Sequence, residues 1–275
     1  MQGQDIQFSV LLPTYASDDS EELKTAIESV LNQTRKPDEV LIVKDGPVPN
    51  ELEEIIRPFE DDDRSRVRSV QHSENRGLGI ALRTGMNTVE HDYVARMDAD
   101  DISVPTRFEK QTDYLAEHPG TDIVGGYIAE FETDPANPIS RREVPTSHDE
   151  IRRMARFRSP MNHGTVLFDR SAVLRAGNYR PVSPMEDYDL WVRMLLNGAT
   201  FANIPEVLVN VRAGTELYER RGGLAYAREE VRTQYEFYRR GFTSLPICLF
   251  NLVTRVGLRL VPNSVRRWAY ERFAR

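Results

Sequence analysis

The sequence predicts an α/β fold built on a parallel, doubly wound sheet, and two observations carry that prediction. Short apolar, β-branched runs ending in turn residues alternate with helix-period segments over the first hundred residues. The acids of that region also gather directly after the apolar runs, where a wound sheet opens its ligand crevice. FSVLLPTY, starting at Phe8, is the first strand, and SEELKTAIESVLNQT sets Leu23, Ile27, Val30 and Leu31 on one helical face. EVLIVKDG then closes a β-α-β unit. ELEEIIRPFE gives a second helix, RVRSVQHS a strand, GLGIALRTGMNTV a helix and DYVARMDADD a fourth strand, and such crossovers are right-handed.

Beyond Asp101, PTRFEKQTDYLAEH is predicted helical and TDIVGGYIAEFE a strand, with HGTVLFDR a strand before the helix SAVLRAG. EDYDLWVRMLLNG reads as an amphipathic helix with Tyr188, Trp191, Val192 and Leu195 on one side, and ANIPEVLVNVRAG as a strand pair. The pattern turns helical from about residue 216, so a boundary near Thr215 divides a core of residues 1–215 from a basic helical extension of residues 216–275.

The 275 residues are 40% hydrophobic and 29% charged, the composition of a globular protein, and no stretch approaches the roughly 18 apolar residues of a spanning helix. The first residues carry no basic region, apolar segment or cleavage site, so the chain is expected to stay inside the cell. A single cysteine, Cys248, allows no internal disulfide, and no Cys/His spacing resembles a zinc site. The net charge of −7 hides a division: residues 239–275 hold eight arginines against Glu271, leaving −14 on residues 1–238. An acidic body without an aromatic-plus-basic motif argues against nucleic-acid binding.

Asp45 ends the second predicted strand, and Asp98, Asp100 and Asp101 end the fourth. Taken singly, each is a turn former or a helix cap. Together, three acids within four residues repel one another unless a hard cation or donors sit between them, and oxygen-rich sites suit Mg²⁺ or Mn²⁺. A metal diphosphate is the natural occupant. Glu186 and Asp187 open a helix whose dipole favours negative charge, which fits either capping or a site.

The blocks SVLLPTYASDDSEELKTAIESVLNQT, EVLIVKDG, ENRGLGIALRTGMN, ARMDADDISVPTRFEKQ, PMNHGTVLFDR and EDYDLWVRM resemble, in order, the inverting family 2 glycosyltransferases of the GT-A fold, a Rossmann-like wound sheet. The resemblance spans residues 8–212. It implies that Pro13, Thr14 and Tyr15 line a nucleotide pocket, with Tyr15 near the base. Asp45 then accepts a hydrogen bond from the base, usually uracil; the second acid common before it is replaced by Lys44. Arg76 and Gly77 match the stretch that approaches ribose and phosphates.

Asp98 and Asp100 match the DXD motif, with Asp98 near the ribose and Asp100 coordinating the divalent ion, while Asp101 orients the loop or caps the following helix. Asp187 matches the catalytic base, Glu186 a residue that positions acceptor or sugar hydroxyls, and His163 a loop between donor sugar and acceptor. Many relatives carry a histidine after the arginine that follows the last strand, but here Arg212 is followed by Ala213 and Gly214. Arg220 and Arg221, beside two glycines, offer a replacement for closing over phosphates.

The implied activity moves one sugar from a nucleoside-diphosphate sugar to a glycan or lipid-linked acceptor. Processive synthases carry a QxxRW signature and spanning helices, both missing here, which favours single-sugar addition. Residues 241–275 combine an apolar segment with arginines, including Arg255 and Arg259, and Trp268, Tyr270 and Phe273; this pattern suits the cytoplasmic membrane surface, or a helical hairpin packed on the catalytic domain or on a second subunit. Two competing readings are weaker. A sugar-nucleotide pyrophosphorylase needs a glycine-rich basic loop after the first strand, where this chain has TYASDDSEE. A non-catalytic nucleotide-sugar-binding protein would be expected to lack the base or the metal acid, and this chain has both.

Overall fold

The computed structural model describes residues 6–62, 64, 66–182, 184–213 and 224–257. Strands β1 (Phe8–Thr14), β2 (Glu39–Lys44) and β3 (Val67–Gln71) are connected through helices α1 (Ser20–Leu31) and α2 (Asn50–Glu60), and α3 (Leu78–Thr88) leads into β4 (Tyr93–Arg96). These strands run parallel in the spatial order β3-β2-β1-β4, the wound half that the sequence predicts.

The second half is mixed in direction. It contains β5 (Ile102–Ser103), α4 (Arg107–Glu117), β6 (Ile123–Phe131), β7 (Ser140–Arg142), α5 (His148–Ala155), a 3₁₀ turn at His163–Thr165, β8 (Leu167–Asp169), α6 (Arg170–Arg175), α7 (Glu186–Leu196) and β9 (Phe201–Arg212). β8 is antiparallel to both β4 and β6, β9 is parallel to β6, and β5 is antiparallel to β9. The excursion from β6 to the 3₁₀ turn is fastened at two points. Asn162 Nδ2 donates to the Gly126 carbonyl at 2.9 Å, and Asn203 Nδ2 to that of Pro145 at 2.7 Å.

Strand side chains alternate between two cores. Val10, Leu12, Val40 and Ile42 pack with α1, α2 and α4, while Leu11, Leu41 and Val43 pack with α3, α5, α6 and α7. Both faces of the sheet are therefore covered, and only the strand ends are left for a ligand.

Two expectations need correction. ANIPEVLVNVRAG is not a strand pair: β9 is continuous, with register shifts opposite Gly126–Ile128 that pass the exposed Pro205 and Glu206. Proline lacks a donor for the ladder, so the irregularity falls where the pairing can spare it. Nor is α7 amphipathic. It is buried nearly all round, because α8 (Leu224–Arg239) covers its outer side, with Phe237 edge-on to Tyr188 at 4.9 Å between centroids. The polar side chains this encloses pair internally, Arg193 with Asp189 at 2.8 Å.

After α8 come α9 (Leu245–Asn251) and a π-turn at Leu252–Val256. Asn251 Nδ2 donates to the Arg156 carbonyl and to Gln234, each at 2.8 Å. Arg255 turns inward, pairing with buried Glu230 at 2.6 Å and donating to the Phe157 carbonyl at 2.6 Å. Its expected place against headgroups is thereby corrected. Thr215, Arg220, Arg221 and residues 258–275 lie outside the described residues.

Candidate active site

The site assembles at the carboxyl ends of β1, β2 and β4. After β1, Thr14 is buried and Tyr15 exposed. Thr14 Oγ1 and the Tyr15 amide both donate to Asp18 Oδ2, at 2.9 and 3.0 Å, which folds the first loop back on itself. Pro13, inside β1, is buried. At the end of β2, the Asp45 carboxylate accepts from His72 Nδ1 at 2.9 Å and from the amides of Arg76 and Gly77 at 2.9 and 2.7 Å. Asp45 thus ties the turn before α3 to the sheet, leaving the Arg76 side chain exposed. Gly77 has φ +87°, a left-handed conformation that glycine adopts without penalty. Lys44, in place of the expected acid, is buried against Glu53 at 2.7 Å.

The loop after β4 is an acidic focus braced from below. Arg96 ion-pairs with Asp98, and fully buried Arg107 donates to the Arg96 carbonyl at 2.8 Å. Burial, with the neighbouring Arg96, lowers the Arg107 guanidinium to about 9. Asp101 is buried and accepts from the Arg212 amide at 3.1 Å, joining the loop to the end of β9. Burial, then the neighbouring Asp98 and Asp100, hold the Asp101 carboxyl well above the usual range. Asp100 is exposed at the rim. Asp18 is raised to about 6, chiefly by burial, with Asp100 and Asp98 adding to the effect.

Among the described residues no three His, Cys, Asp or Glu side chains are grouped to hold a cation unaided. That donor set still fits Mg²⁺ or Mn²⁺, which commonly take one or two carboxylates and complete their shell with water and substrate phosphates. The mutual repulsion of Asp18, Asp98 and Asp100 is what a cation at this rim would relieve.

The second acidic pair opens α7. Glu186 is 8% exposed, and its Oε2 is buried without a hydrogen-bond partner among the described residues. Burial raises its carboxyl to about 7, with Asp187 and, more weakly, Asp98 contributing. Asp187 accepts from Ser159 Oγ at 3.2 Å. His163 Nε2 meets the buried Tyr179 hydroxyl at 2.8 Å, and its ring stands edge-on to Trp191 at 5.6 Å. Burial, then Arg96, push the imidazole well below its ordinary value, so it is neutral at physiological pH.

Two chains of contact join the acid sets. On one side, a side-chain carbon at Gly79 in α3 would lie 2.4 Å from the Arg180 carbonyl oxygen and 3.6 Å from Glu186 Cβ, so only glycine admits this approach. The turn held by Asp45 therefore abuts Glu186. On the other side, a carbon at Gly164 would lie 3.3 Å from Asp98 Oδ2, next to the His163 that packs on α7. These contacts bring Asp45, Gly77, Asp98, His163 and Glu186 into one neighbourhood.

Four residues that the sequence reading passed over help build it: Asp18, Arg96, Ser159 and Tyr179. Arg96 left a detectable trace, since an arginine in the apolar run YVARMD requires a buried partner. Asp18 was indistinguishable from its acidic neighbours in ASDDSEE.

A family model described as "Glycosyl transferase family 2" matches residues 9–178. The chain belongs to glycosyl transferase family 2. An "Uncharacterized glycosyltransferase" of Haemophilus influenzae is 39% identical over 98% of this chain and 100% of that protein. The "UDP-Gal:alpha-D-GlcNAc-diphosphoundecaprenol beta-1,3-galactosyltransferase" of Escherichia coli is 36% identical over 98% of this chain and 97% of its own length. "Amylovoran biosynthesis glycosyltransferase AmsE" of Erwinia amylovora is likewise 36% identical, over 96% and 98%.

Among solved structures, S. aureus TarS 1-349 in complex with UDP-GlcNAc superposes with TM-score 0.68 at 16% identity, covering 91% of this chain and 72% of that one. The mannosyltransferase PcManGT of Pyrobaculum calidifontis, in complex with GDP-Man and Mn²⁺, gives 0.66 at 15%, covering 96% and 75%. These likenesses show the GT-A fold. The protein is a glycosyltransferase, and the pyrophosphorylase and non-catalytic readings give way to it. No helix among the described residues is long and apolar enough to cross a membrane.

The environment of Glu186 sets a pH dependence on this glycosyltransferase's stability. A carboxyl that ionises at about 7 in the folded chain, against an ordinary 4.5, gives stability that is complete below pH 4.5 and lost as pH rises through 7. The shift corresponds to about 3 kcal/mol. Glu186→Gln is therefore expected to raise the melting temperature by several degrees at pH 8 and to leave it nearly unchanged at pH 4, as read by calorimetry at both pH values.

Proposed function

We propose that the enzyme transfers one sugar from a nucleoside-diphosphate sugar to a hydroxyl of a lipid-linked saccharide, by a single displacement that inverts the anomeric carbon. What supports this reading is the proximity of two acid sets, the Asp98–Asp101 loop and the Glu186–Asp187 pair, joined through Gly164, His163 and Trp191, with Asp98 acting electrostatically on Glu186. The acceptor class follows the E. coli relative, named for a diphosphoundecaprenol-linked sugar, and that name makes UDP-galactose the first donor to try. The pairing of GDP-Man with Mn²⁺ in the PcManGT complex supports a divalent ion.

In this mechanism Pro13, Thr14 and Tyr15 line the base pocket. Asp45, three of whose lone-pair positions are already taken, has one left on Oδ2 for the base. Arg76 and Gly77 approach the ribose and phosphates, and Asp98 the ribose. Asp100, with Asp98, would hold Mn²⁺ or Mg²⁺, which when bound compensates the charge of the departing diphosphate. Asp187 takes the proton from the acceptor hydroxyl as its oxygen bonds to the anomeric carbon, and the electron pair of the breaking bond leaves on the nucleoside diphosphate. Ser159 aims that carboxylate. Glu186 positions a sugar hydroxyl, and neutral His163 shapes the wall between donor and acceptor. Arg220 and Arg221 are assigned to closing over the phosphates.

The division near residue 215 is proposed as functional only, since Phe237 and Phe242 share one core with α7. The enzyme should act from the cytoplasmic side, where nucleotide sugars are made. Incubation with UDP-galactose, Mn²⁺ and a GlcNAc-diphospholipid tests the proposal. A product linkage of configuration opposite to that of the donor, read from its anomeric proton coupling, is the expected result. Retention of configuration, or no transfer from any nucleotide sugar, would sink it.

A further inference from the structure

Among the described residues an apolar ridge stands exposed beyond the covered sheet. Leu245, Leu249, Phe250 and Val253 follow an i, i+4, i+5, i+8 spacing along α9 and the π-turn, and all four are exposed, Phe250 by 57% and Val253 by 76%. Phe157, from the loop after α5, adds its exposed ring edge-on to Phe250 at 6.3 Å. An apolar ridge of this kind on a folded chain marks an interaction site. Two arginines flank the ring in the chain, Arg156 and Arg158, both exposed. The chain continues from this ridge into residues 258–275, whose five arginines face a single acid, Glu271, in an otherwise acidic protein.

We propose that this ridge is the membrane-docking surface of the enzyme: Phe157, Leu249, Phe250 and Val253 enter the interface of an anionic bilayer, and the arginines of the α5 loop meet its headgroups. Apolar side chains flanked by cations match a surface with acyl chains below and negative charge above. A second copy of this chain would bring arginine against arginine, which charge complementarity disfavours. The placement also serves the chemistry. Phe157 lies two residues before Ser159, whose hydroxyl donates to Asp187 at 3.2 Å, so the docked face adjoins the acceptor side of the site. A lipid-linked acceptor would then present its sugar to Asp187 without leaving the bilayer; that consequence rests on the function proposed above, whereas the docking does not.

Vesicle flotation of the full chain at physiological salt tests it, with vesicles of phosphatidylglycerol and phosphatidylcholine against phosphatidylcholine alone. The wild type is expected to float with the anionic vesicles and to stay behind with the neutral ones. The variants F250S/V253S and R156E/R158E should each lose at least tenfold in bound fraction, while retaining donor hydrolysis and melting behaviour, since none of these residues belongs to the catalytic machinery. Wild-type protein that ignores anionic vesicles, or variants that float as well as it does, would overturn the assignment. So would a dimer in sedimentation equilibrium that F250S/V253S dissolves, since a second copy would then own the ridge. The assay contains no donor or acceptor, so it can fail while sugar transfer succeeds, and the reverse.

Discussion

Asp187→Asn is expected to lower kcat for sugar transfer by about three orders of magnitude, within the span typical of a positioned general base. The amide keeps the shape of the side chain and can still meet the Ser159 hydroxyl, but it cannot take a proton. Donor affinity should hardly move, because the nucleotide is assigned to the ends of β1 and β2. Titration of UDP into the variant, followed by calorimetry, separates the two effects. A variant that turns over at even a tenth of the wild-type rate would remove Asp187 from the base role.

Asp100→Ala should be nearly as damaging, through a different quantity. Asp100 is exposed at the rim, so its removal opens no cavity and the fold should melt as before. What should change is the dependence on divalent ion: UDP affinity in the presence of Mn²⁺ should drop towards the value measured with chelator, and kcat should fall by roughly two to three orders of magnitude. If Mn²⁺ still tightens UDP binding to the variant as it does to the wild type, Asp100 is not the ligand. Removing Asp98 is a poorer test, because it would leave buried Arg96 without its ion pair and confound binding with stability.

The first half of the fold was legible because local pattern and tertiary environment agree there. β1, β2 and β4 are central parallel strands covered on both faces, and such strands read as near-continuous apolar segments, while β3 lies half-buried at the sheet edge. Legibility declined after Asp101, where strand direction varies and the elements are short. β5 and β7 span only two and three residues, too few to set a period, and α5 draws its buried contacts from only Ile151 and Ala155. α7 was misread because its outer face is buried by residues more than forty positions away, which no local window contains.

The same contrast holds in the site. The acids at strand ends were visible from their spacing, but their partners were not. Asp45 is engaged by His72 and by two backbone amides around Gly77, and Asp187 by Ser159, twenty-eight residues earlier. Contacts of that kind arise from closure of the chain and carry no periodic mark.

The excursion between β6 and the 3₁₀ turn is fastened to the sheet midway, at Pro145 by Asn203, and at its far end by Asn162, while the stretch at 132–139 is largely exposed. Lengthening such a closed segment costs little free energy, because closure entropy grows only with the logarithm of its length. The tolerance belongs to the exposed stretch at 132–139, whereas α5 and Ser159, which pack on or aim α7, hold the rest of the excursion in place.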